Sequence, residues 1–236
     1  MSEVRGLRLA PSAILKEKRL AALLEGRDPD DPRLGEAVED AQILGSLELA
    51  GVGATWAEVV ASRRGPGPEA IVALRRARSA VEPRAPLDLA ALQAWHAALA
   101  LPESGWRRAV RARETTPPAP PEAIPGRLAI LEQWINSEGA GGLTATQKAA
   151  LALARLVEIL PFEDGNGRVS RLAASHLMVR DGMRPPILAG GDGPRLRACL
   201  EAAFRFETGP LCELLVEASE RCLDVMIQTL EQTRTG

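Results

Sequence analysis

The chain has 236 residues, enough for one well-buried domain or for a core with a smaller appendage. Hydrophobic residues make up 46% of it and charged residues 25%, a balance that excludes wholesale disorder. The formal net charge of −2 excludes a general attraction to nucleic acid or to an anionic membrane, so either contact would need a local basic patch.

Alanine, leucine, arginine and glutamate dominate the sequence, aromatic residues are 3% and tyrosine is absent. Because strands favour β-branched and aromatic residues, this composition predicts a mainly α fold. The first section predicts four short helices broken by glycine and proline, in SAILKEKRLAALLEG, DPDDPRLGEAVEDAQILGSLELAG, TWAEVVASRRG and GPEAIVALRRARSAV. A fifth helix, LDLAALQAWHAALA, follows the joint EPRAP.

The helical pattern is interrupted between Trp106 and Pro125. The segment WRRAVRARET alternates apolar and basic residues, and TPPAPPEAIP cannot continue strand pairing because proline donates no backbone hydrogen bond. We predict a short exposed β-hairpin flap and then an extended connector. Its arginines form a candidate basic patch that is expected to be solvated, with nucleic-acid binding as the less favoured interpretation: Arg107, Arg108, Arg111 and Arg113.

The second half predicts one helix after another. RLAILEQWINSEG ends at a glycine, and TATQKAALALARLVEIL opens with Thr144 and Gln147 at capping-box spacing and is closed by Pro161. The next helix begins within GNGRVSRLAASHLMVRDG, and the tail supplies two more.

No apolar run is long enough to cross a bilayer, and MSEVRGLRLAPSAILKEKRL lacks the apolar block of a signal peptide. The three cysteines have no metal-ligand spacing, so we expect a cytoplasmic protein with reduced thiols and no membrane partner.

The junction between two of these helices, LPFEDGNGRVSRL, has the composition of a phosphate cradle. A helix N-terminus presents unpaired N–H groups and partial positive charge, and glycines there let a polyphosphate approach the backbone. Arg168 and Arg171 are three apart and would reach the same anion, and Asp164 is placed to hold a magnesium ion. The alternative is a glycine-rich turn with two surface arginines.

This stretch resembles the signature loop of the Fic (Fido) family, His-Pro-Phe-x-Asp/Glu-Gly-Asn-Gly-Arg-x-x-Arg. Eight positions agree and one departs, because Leu160 stands in place of the histidine; the matches are Pro161, Phe162, Asp164, Gly165, Asn166, Gly167, Arg168 and Arg171. The resemblance extends over roughly residues 87 to 230 and implies a Fic-type helical bundle with a short β-hairpin flap. We divide the chain into an N-terminal helical region, 1–86, and a Fic core domain, 87–236.

The resemblance implies binding of ATP, or another nucleotide, with Mg²⁺, and transfer of AMP to a hydroxyl of a target protein. By position, Phe162 would anchor the loop and Asp164 would bind magnesium. Gly165, Asn166 and Gly167 would form the anion hole, Arg168 would contact the inner phosphates and Arg171 the γ-phosphate. The flap would dock the target by strand addition, through Arg111, Ala112, Arg113, Glu114, Thr115 and Thr116.

In this family the histidine is the general base, and the leucine at position 160 has no lone pair with which to accept a proton. His176 is too far along its helix to replace it, His96 is expected to be buried packing, and Glu163 would have to turn inward. The segment SLELAG resembles the family's inhibitory helix, with Ser46 and Gly51 present but Ala50 where a glutamate should pair with the second arginine. We assign this degenerate inhibitory-like helix to about 32–51; the alternative is a plain amphipathic helix.

Three functions remain open. The favoured one is a Fic-fold pseudoenzyme or regulatory module that binds Mg-nucleotide and, lacking the base, is deficient in AMP transfer. The alternatives are an active transferase with altered chemistry, and a structural or DNA-associated helical protein. The oligomeric state, the target and the nucleotide preference do not follow from the sequence.

Overall fold

The computed structural model describes residues 11–113 and 116–232. Within these ranges the chain forms ten α-helices and no strand. The helices are α1 (Pro11–Leu24), α2 (Pro32–Glu48), α3 (Trp56–Ala61), α4 (Glu69–Ser79), α5 (Leu89–Ala98), α6 (Ile124–Ile135), α7 (Ala145–Ile159), α8 (Asn166–Arg180), α9 (Gly193–Phe204) and α10 (Gly209–Gln232). Each corresponds to a helix predicted from the sequence, so the mainly α class is confirmed.

The two ends of α7 have different local causes. At its N-terminus the capping box is present, since the Gln147 backbone N–H donates to Thr144 Oγ1 at 3.2 Å and the Thr144 N–H donates to Gln147 Oε1 at 2.9 Å. At its C-terminus Leu160 adopts the left-handed conformation, with φ of 53°, and its N–H donates to the Leu156 carbonyl at 3.0 Å. This reversal turns the chain out of the helix and into the loop at 161–165.

The apolar core is built around the pair α7 and α8, which make the most extensive helix–helix contact among the described residues. Leu153 and Leu156 of α7 and Leu177 of α8 are at most 1% exposed. Burying a side chain of this size contributes about 1.5–3 kcal/mol to the free energy of folding. The two helices are therefore firmly packed against each other, and they fix both ends of the loop between them.

The N-terminal helices share that core. Ile43 of α2 and Leu74 of α4 belong to the same buried cluster as Leu153. A smaller cluster joins α1, α2 and α10 through Leu20, Leu34 and Cys222, among others. The division at residue 86 therefore remains a prediction, while the packing shows that α2 is part of the surroundings of α8 and brings Ser46 to it.

The expected β-hairpin flap is absent from the described residues. Residues 107–113, called the flap segment below, are irregular; Glu114 and Thr115 lie outside the described residues. The flap segment bonds to the loop rather than to a second strand, since the Arg107 N–H donates to the Pro161 carbonyl at 2.7 Å. Three prolines in the following stretch, 117–120, remove the donors that a pairing strand would need.

No helix of the described part has the length and apolarity needed to span a membrane.

Candidate functional site

The loop between α7 and α8 is closed by the side chain of Asn166. Its Nδ2 donates to the Phe162 carbonyl and its Oδ1 accepts from the Phe162 N–H, both at 2.8 Å. The Phe162 ring is fully buried and stacks on His96 at 3.9 Å between centroids, with Trp106 at 5.2 Å. The amide of Asn166 therefore shapes the loop.

His96 supports the loop from below. Its Nε2 lies 3.0 Å from the Asp164 carbonyl oxygen, which can only accept, so Nε2 carries the proton. Burial lowers the pKa of His96, which keeps the ring neutral at physiological pH. The side chain thus holds the backbone in place, in agreement with its expected role as buried packing.

Helix α8 begins without a side-chain cap. Gly165 occupies the N-cap position at φ of 80°, and within the described chain no side chain accepts from the first turn there. A Cβ at Gly165 would lie 2.8 Å from Leu101 Cδ1 and 3.1 Å from Leu99 Cδ1, so the loop requires glycine. By contrast α3 and α7 both carry capping boxes. The N–H groups of this turn are therefore left for an anion.

Two arginines flank this helix end. Arg168 is 8% exposed and donates from Nη2 to Asp164 Oδ2 at 3.0 Å. Arg171 donates from Nε to Ser46 Oγ at 3.0 Å and from Nη2 to the Ser46 carbonyl at 2.7 Å. Burial, with a smaller contribution from the Arg168 charge, lowers the pKa of Arg171 to about 10, so it remains cationic at neutral pH. A Cβ at Gly167 would lie 3.0 Å from Arg171 Nη1, which explains the second glycine.

Arg171 is paired although no glutamate stands at position 50. Its partners are the hydroxyl and carbonyl of Ser46, which lie near the C-terminus of α2, the partly negative end of that helix. Ala50 and Gly51 lie beyond the helix, in an exposed turn with Gly51 at φ of 71°. Glu48 faces elsewhere and accepts from the Gly190 N–H at 3.0 Å.

Asp164 is the side chain available to a metal. It is 73% exposed, its Oδ1 accepts from the Gly165 N–H at 2.5 Å and its Oδ2 accepts from Arg168. A carboxylate has about four lone-pair positions, so it can still bind a cation. No cluster of three or more metal-ligating side chains occurs among the described residues. The arrangement therefore fits Mg²⁺, which commonly uses one or two carboxylates and completes its shell with phosphate and water.

Neither Glu163 nor His176 is placed to act as a base in place of a histidine at position 160. The Glu163 carboxylate turns toward the flap segment, and the backbone N–H groups of Ala109 and Arg108 hold its pKa below the usual range. His176 is buried and its Nε2 donates to the Ala85 carbonyl at 2.9 Å, away from the loop. Leu160 itself is half-buried, so an apolar side chain stands where the family pattern has its histidine.

Arg107 was expected to be a solvated member of the basic patch, and that expectation is wrong. It is 2% exposed and donates to the carbonyls of Leu160 at 2.9 Å and Ala119 at 2.6 Å, and more weakly to that of Ile159 at 3.5 Å. It thus satisfies carbonyls at the end of α7 that would otherwise have no helical donor. The only sequence signal was the general preference for a cation at a helix C-terminus, which does not point to a residue so distant in the chain.

The predicted basic patch is largely neutralised. Arg111 pairs with Glu163 at 2.9 Å, and Arg113 donates to the Val157 carbonyl at 2.7 Å with its guanidinium 5.0 Å from the Phe204 ring centroid. Arg107 is buried and donates to backbone carbonyls, which leaves Arg108 as the one arginine of the four whose guanidinium has no hydrogen bond, ion pair or ring contact among the described residues. Thr116 accepts from Arg113 through its carbonyl at 3.4 Å.

Comparison with known proteins agrees with this geometry. Residues 86–178 match the Fic/DOC family. Residues 86–178 form a Fic/DOC domain. The chain is 37% identical over 107 residues to the protein adenylyltransferase Fic of Drosophila virilis, a match that covers 44% of this chain and 22% of that relative. The chain thus spans about a fifth of the length of the curated relatives it matches.

Solved structures share the Fic fold. A Fic-domain-containing signaling protein from Bacteroides thetaiotaomicron has a TM-score of 0.74 at 20% identity, covering 94% of this chain and 98% of that one. IbpAFic2 in complex with adenylylated Cdc42 has a TM-score of 0.52 at 15% identity, covering 88% of this chain and 70% of that one. At such identities the likeness shows the fold, and the resemblance to adenylyltransferases rests on the Fic domain sequence.

Proposed function

We propose that this Fic protein binds a Mg-nucleotide at the loop after α7 and is deficient in AMP transfer. The observation that carries the proposal is the uncapped N-terminus of α8, with Arg168 and Arg171 beside it and Leu160 at the position of the base. Anion binding needs the helix N-terminus and the two arginines, whereas proton abstraction from a target hydroxyl needs a base at position 160.

The proposed binding role follows from charges on this chain. The backbone N–H groups of Asn166 and Gly167 would face the phosphates, and that of Gly165 would do so on leaving Asp164 Oδ1. Arg168 would contact the inner phosphates. A γ-phosphate would have to compete with Ser46 for Arg171. Binding of a triphosphate would therefore require breaking the hydrogen bonds between Arg171 and Ser46. A bound Mg²⁺ would neutralise phosphate charge beside Asp164.

The proposed deficiency follows from Leu160. Removing a general base typically lowers the rate about 10²- to 10⁴-fold. Glu163 is engaged with the flap segment and His176 with the Ala85 carbonyl, so neither supplies the missing proton acceptor. A regulatory module that senses nucleotide, and that docks a partner protein at the flap, is the function that fits both features.

An active transferase with altered chemistry is the second candidate. It is favoured by the intact phosphate side of the loop, since preorganised charge is often the largest catalytic contribution. A curated relative is a protein adenylyltransferase and IbpAFic2 was solved with adenylylated Cdc42, so the substrate class would be a protein side chain. The structural or DNA-associated candidate loses its support, because the arginines of the flap segment are mostly engaged within the described chain.

Titration calorimetry with ATP and Mg²⁺ tests the binding proposal. We expect Arg168→Ala to weaken binding at least about tenfold, because charge-assisted hydrogen bonds to phosphate are lost. The matched control is Arg197→Ala, an exposed arginine of α9, which should leave binding unchanged. The proposal is wrong if ATP, ADP and GTP all fail to bind at millimolar concentration, or if the two variants bind equally well.

Incubation of the natural protein with α-labelled ATP and a cell lysate separates the two candidates. We expect no labelled protein band under conditions in which a Fic enzyme with the histidine reacts. Labelling of a target that Asn166→Ala abolishes, in a variant that still unfolds cooperatively, would instead establish the transferase.

A further inference from the structure

Glu163 occupies the variable position of the Fic motif, yet its carboxylate makes a specific set of contacts. Its Oε1 accepts from the backbone N–H groups of Arg108 at 2.9 Å and Ala109 at 3.0 Å. Its Oε2 accepts from Arg111 Nη2 at 2.9 Å, and the side chain is only 16% exposed. Hydrogen bonds to an ionised acceptor are about twice as strong as neutral ones, so these contacts exceed an ordinary surface ion pair.

The backbone on either side of Glu163 is fixed. Phe162 is held by Asn166 and by the ring of His96, and the Asp164 carbonyl is held by His96 Nε2. The carboxylate therefore projects from a rigid loop, and movement of the flap segment requires breaking its bonds to Glu163. The Arg107 N–H also donates to the Pro161 carbonyl at 2.7 Å, which makes a second connection between the flap segment and the loop.

We propose that Glu163 is a positioning residue that fastens the flap segment to the nucleotide loop, so that the nucleotide site and the partner-docking surface are mechanically coupled. The docking role of this surface rests on the proposed function; the fastening does not. Because coupling between two sites is reciprocal, a nucleotide that further stabilises the loop should also slow the opening of the flap segment, and a docked partner should tighten nucleotide binding.

The same contacts define which side of the flap segment a partner can use. The N–H groups of Arg108 and Ala109 face Glu163 and are not available for strand addition. Val110 is 82% exposed, and the guanidinium of Arg108 has no ion-pair partner in the part of the chain that the structure describes. The surface therefore fits an extended protein segment that presents an apolar side chain next to an acidic one.

Hydrogen–deuterium exchange of the full chain, read on peptides covering 107–113, tests the fastening without any ligand. We expect Glu163→Ala to speed exchange of the Arg108 and Ala109 amides roughly tenfold or more. Glu163→Gln should have a smaller effect, because its amide oxygen can still accept from both N–H groups while the ion pair with Arg111 is lost. The matched control, Glu103→Ala, removes an exposed carboxylate near the same segment and should change nothing there.

Equal exchange in Glu163→Ala and Glu103→Ala would overturn the proposal, provided peptides of α7 remain protected in both. If Glu163→Ala does not fold, Arg111→Ala and Glu163→Gln carry the same comparison against the control. With Mg-ATP added, we expect slower flap exchange in the natural protein and no change in Glu163→Ala, at an affinity altered less than about twofold. Nucleotide-dependent protection that survives Glu163→Ala would refute the coupling. A complete lack of nucleotide binding would contradict the proposed function, while the ligand-free comparison would still decide the fastening.

Discussion

At the scale of single residues, Leu160 has a left-handed backbone conformation that is unusual for a leucine. Its φ of 53° lies in the left-handed region, which costs an L-residue about 1–2 kcal/mol and in which histidine, asparagine and aspartate are enriched. The Arg107 guanidinium and the bond to the Leu156 carbonyl hold this conformation. The left-handed turn is therefore formed with a leucine at this position, where the Fic motif has histidine.

We expect Leu160→His to create AMP transfer at a rate about 10²- to 10⁴-fold above that of the natural protein, since a histidine with a pKa near 6.5 can act as a base at neutral pH. Transfer from α-labelled ATP to protein in a lysate measures it. Adding Ala50→Glu should reduce the regained activity if a carboxylate in that turn reaches Arg171. A histidine variant that binds nucleotide but transfers nothing would show that the docking surface has diverged as well.

Arg107 illustrates a residue whose importance depends on burial. Arg107→Ala would leave the carbonyls of Leu160 and Ala119 without their donor, and we expect a loss of about 2–3 kcal/mol in the free energy of unfolding. Arg108→Ala, one residue along and exposed, should change it by less than about 0.5 kcal/mol. Urea unfolding of both variants provides the comparison, and similar midpoints would contradict the structural role given to Arg107.

At the scale of elements, the position of α2 determines whether Ser46 reaches Arg171. Two glycines of this helix have opposite surroundings. A Cβ at Gly45 would lie 1.9 Å from the Leu188 carbonyl oxygen, which is backbone and cannot yield easily, whereas a Cβ at Gly35 would have no neighbouring atom within 4 Å. The close approach of Gly45 to Leu188 is therefore what lets α2 lie against the segment following α8.

We expect Gly45→Ala to lower the free energy of unfolding by about 1–3 kcal/mol or more, because α2 must move away from Leu188. Gly35→Ala should instead raise it by about 0.5–1 kcal/mol, the usual gain from replacing a helical glycine. Thermal and urea unfolding measure both. If Gly45→Ala proves as stable as Gly35→Ala, the packing of α2 beside the loop is not as tight as the structure indicates.

At the scale of the whole molecule, Cys222 reports on the smaller cluster that joins α10 to α1 and α2. Burial raises the pKa of the Cys222 thiol to about 12. Since the thiolate is the reactive form, we expect Cys222 at pH 8 to react with a thiol reagent about 10³-fold more slowly than an exposed cysteine, unless the protein unfolds. The labelling rate in increasing urea, read by mass spectrometry, should then follow global unfolding; fast labelling of Cys222 in the native protein would contradict this packing.

The sequence by itself determined the fold class, the ten helices and the loop. These are local properties: helical periodicity, capping residues, prolines and a contiguous motif are all readable from neighbours in the chain. Thr144 and Gln147 form the capping box that their spacing predicts, and Phe162 is buried beneath the loop. The roles carried over to Asp164, Arg168 and Arg171 remain proposals until a nucleotide is bound.

Only the tertiary structure decided what each polar group touches. The pairing of Arg171 with Ser46, 125 positions earlier in the chain, depends on how α2 packs against α8. The burial of Arg107 and the contact of Glu163 with the flap segment likewise join residues 52 to 55 positions apart. The flap was expected to be a β-hairpin, but its residues bond to the loop instead. Hydrogen bonds form between groups that folding brings together, and the spacing of residues in the sequence does not indicate which groups these are.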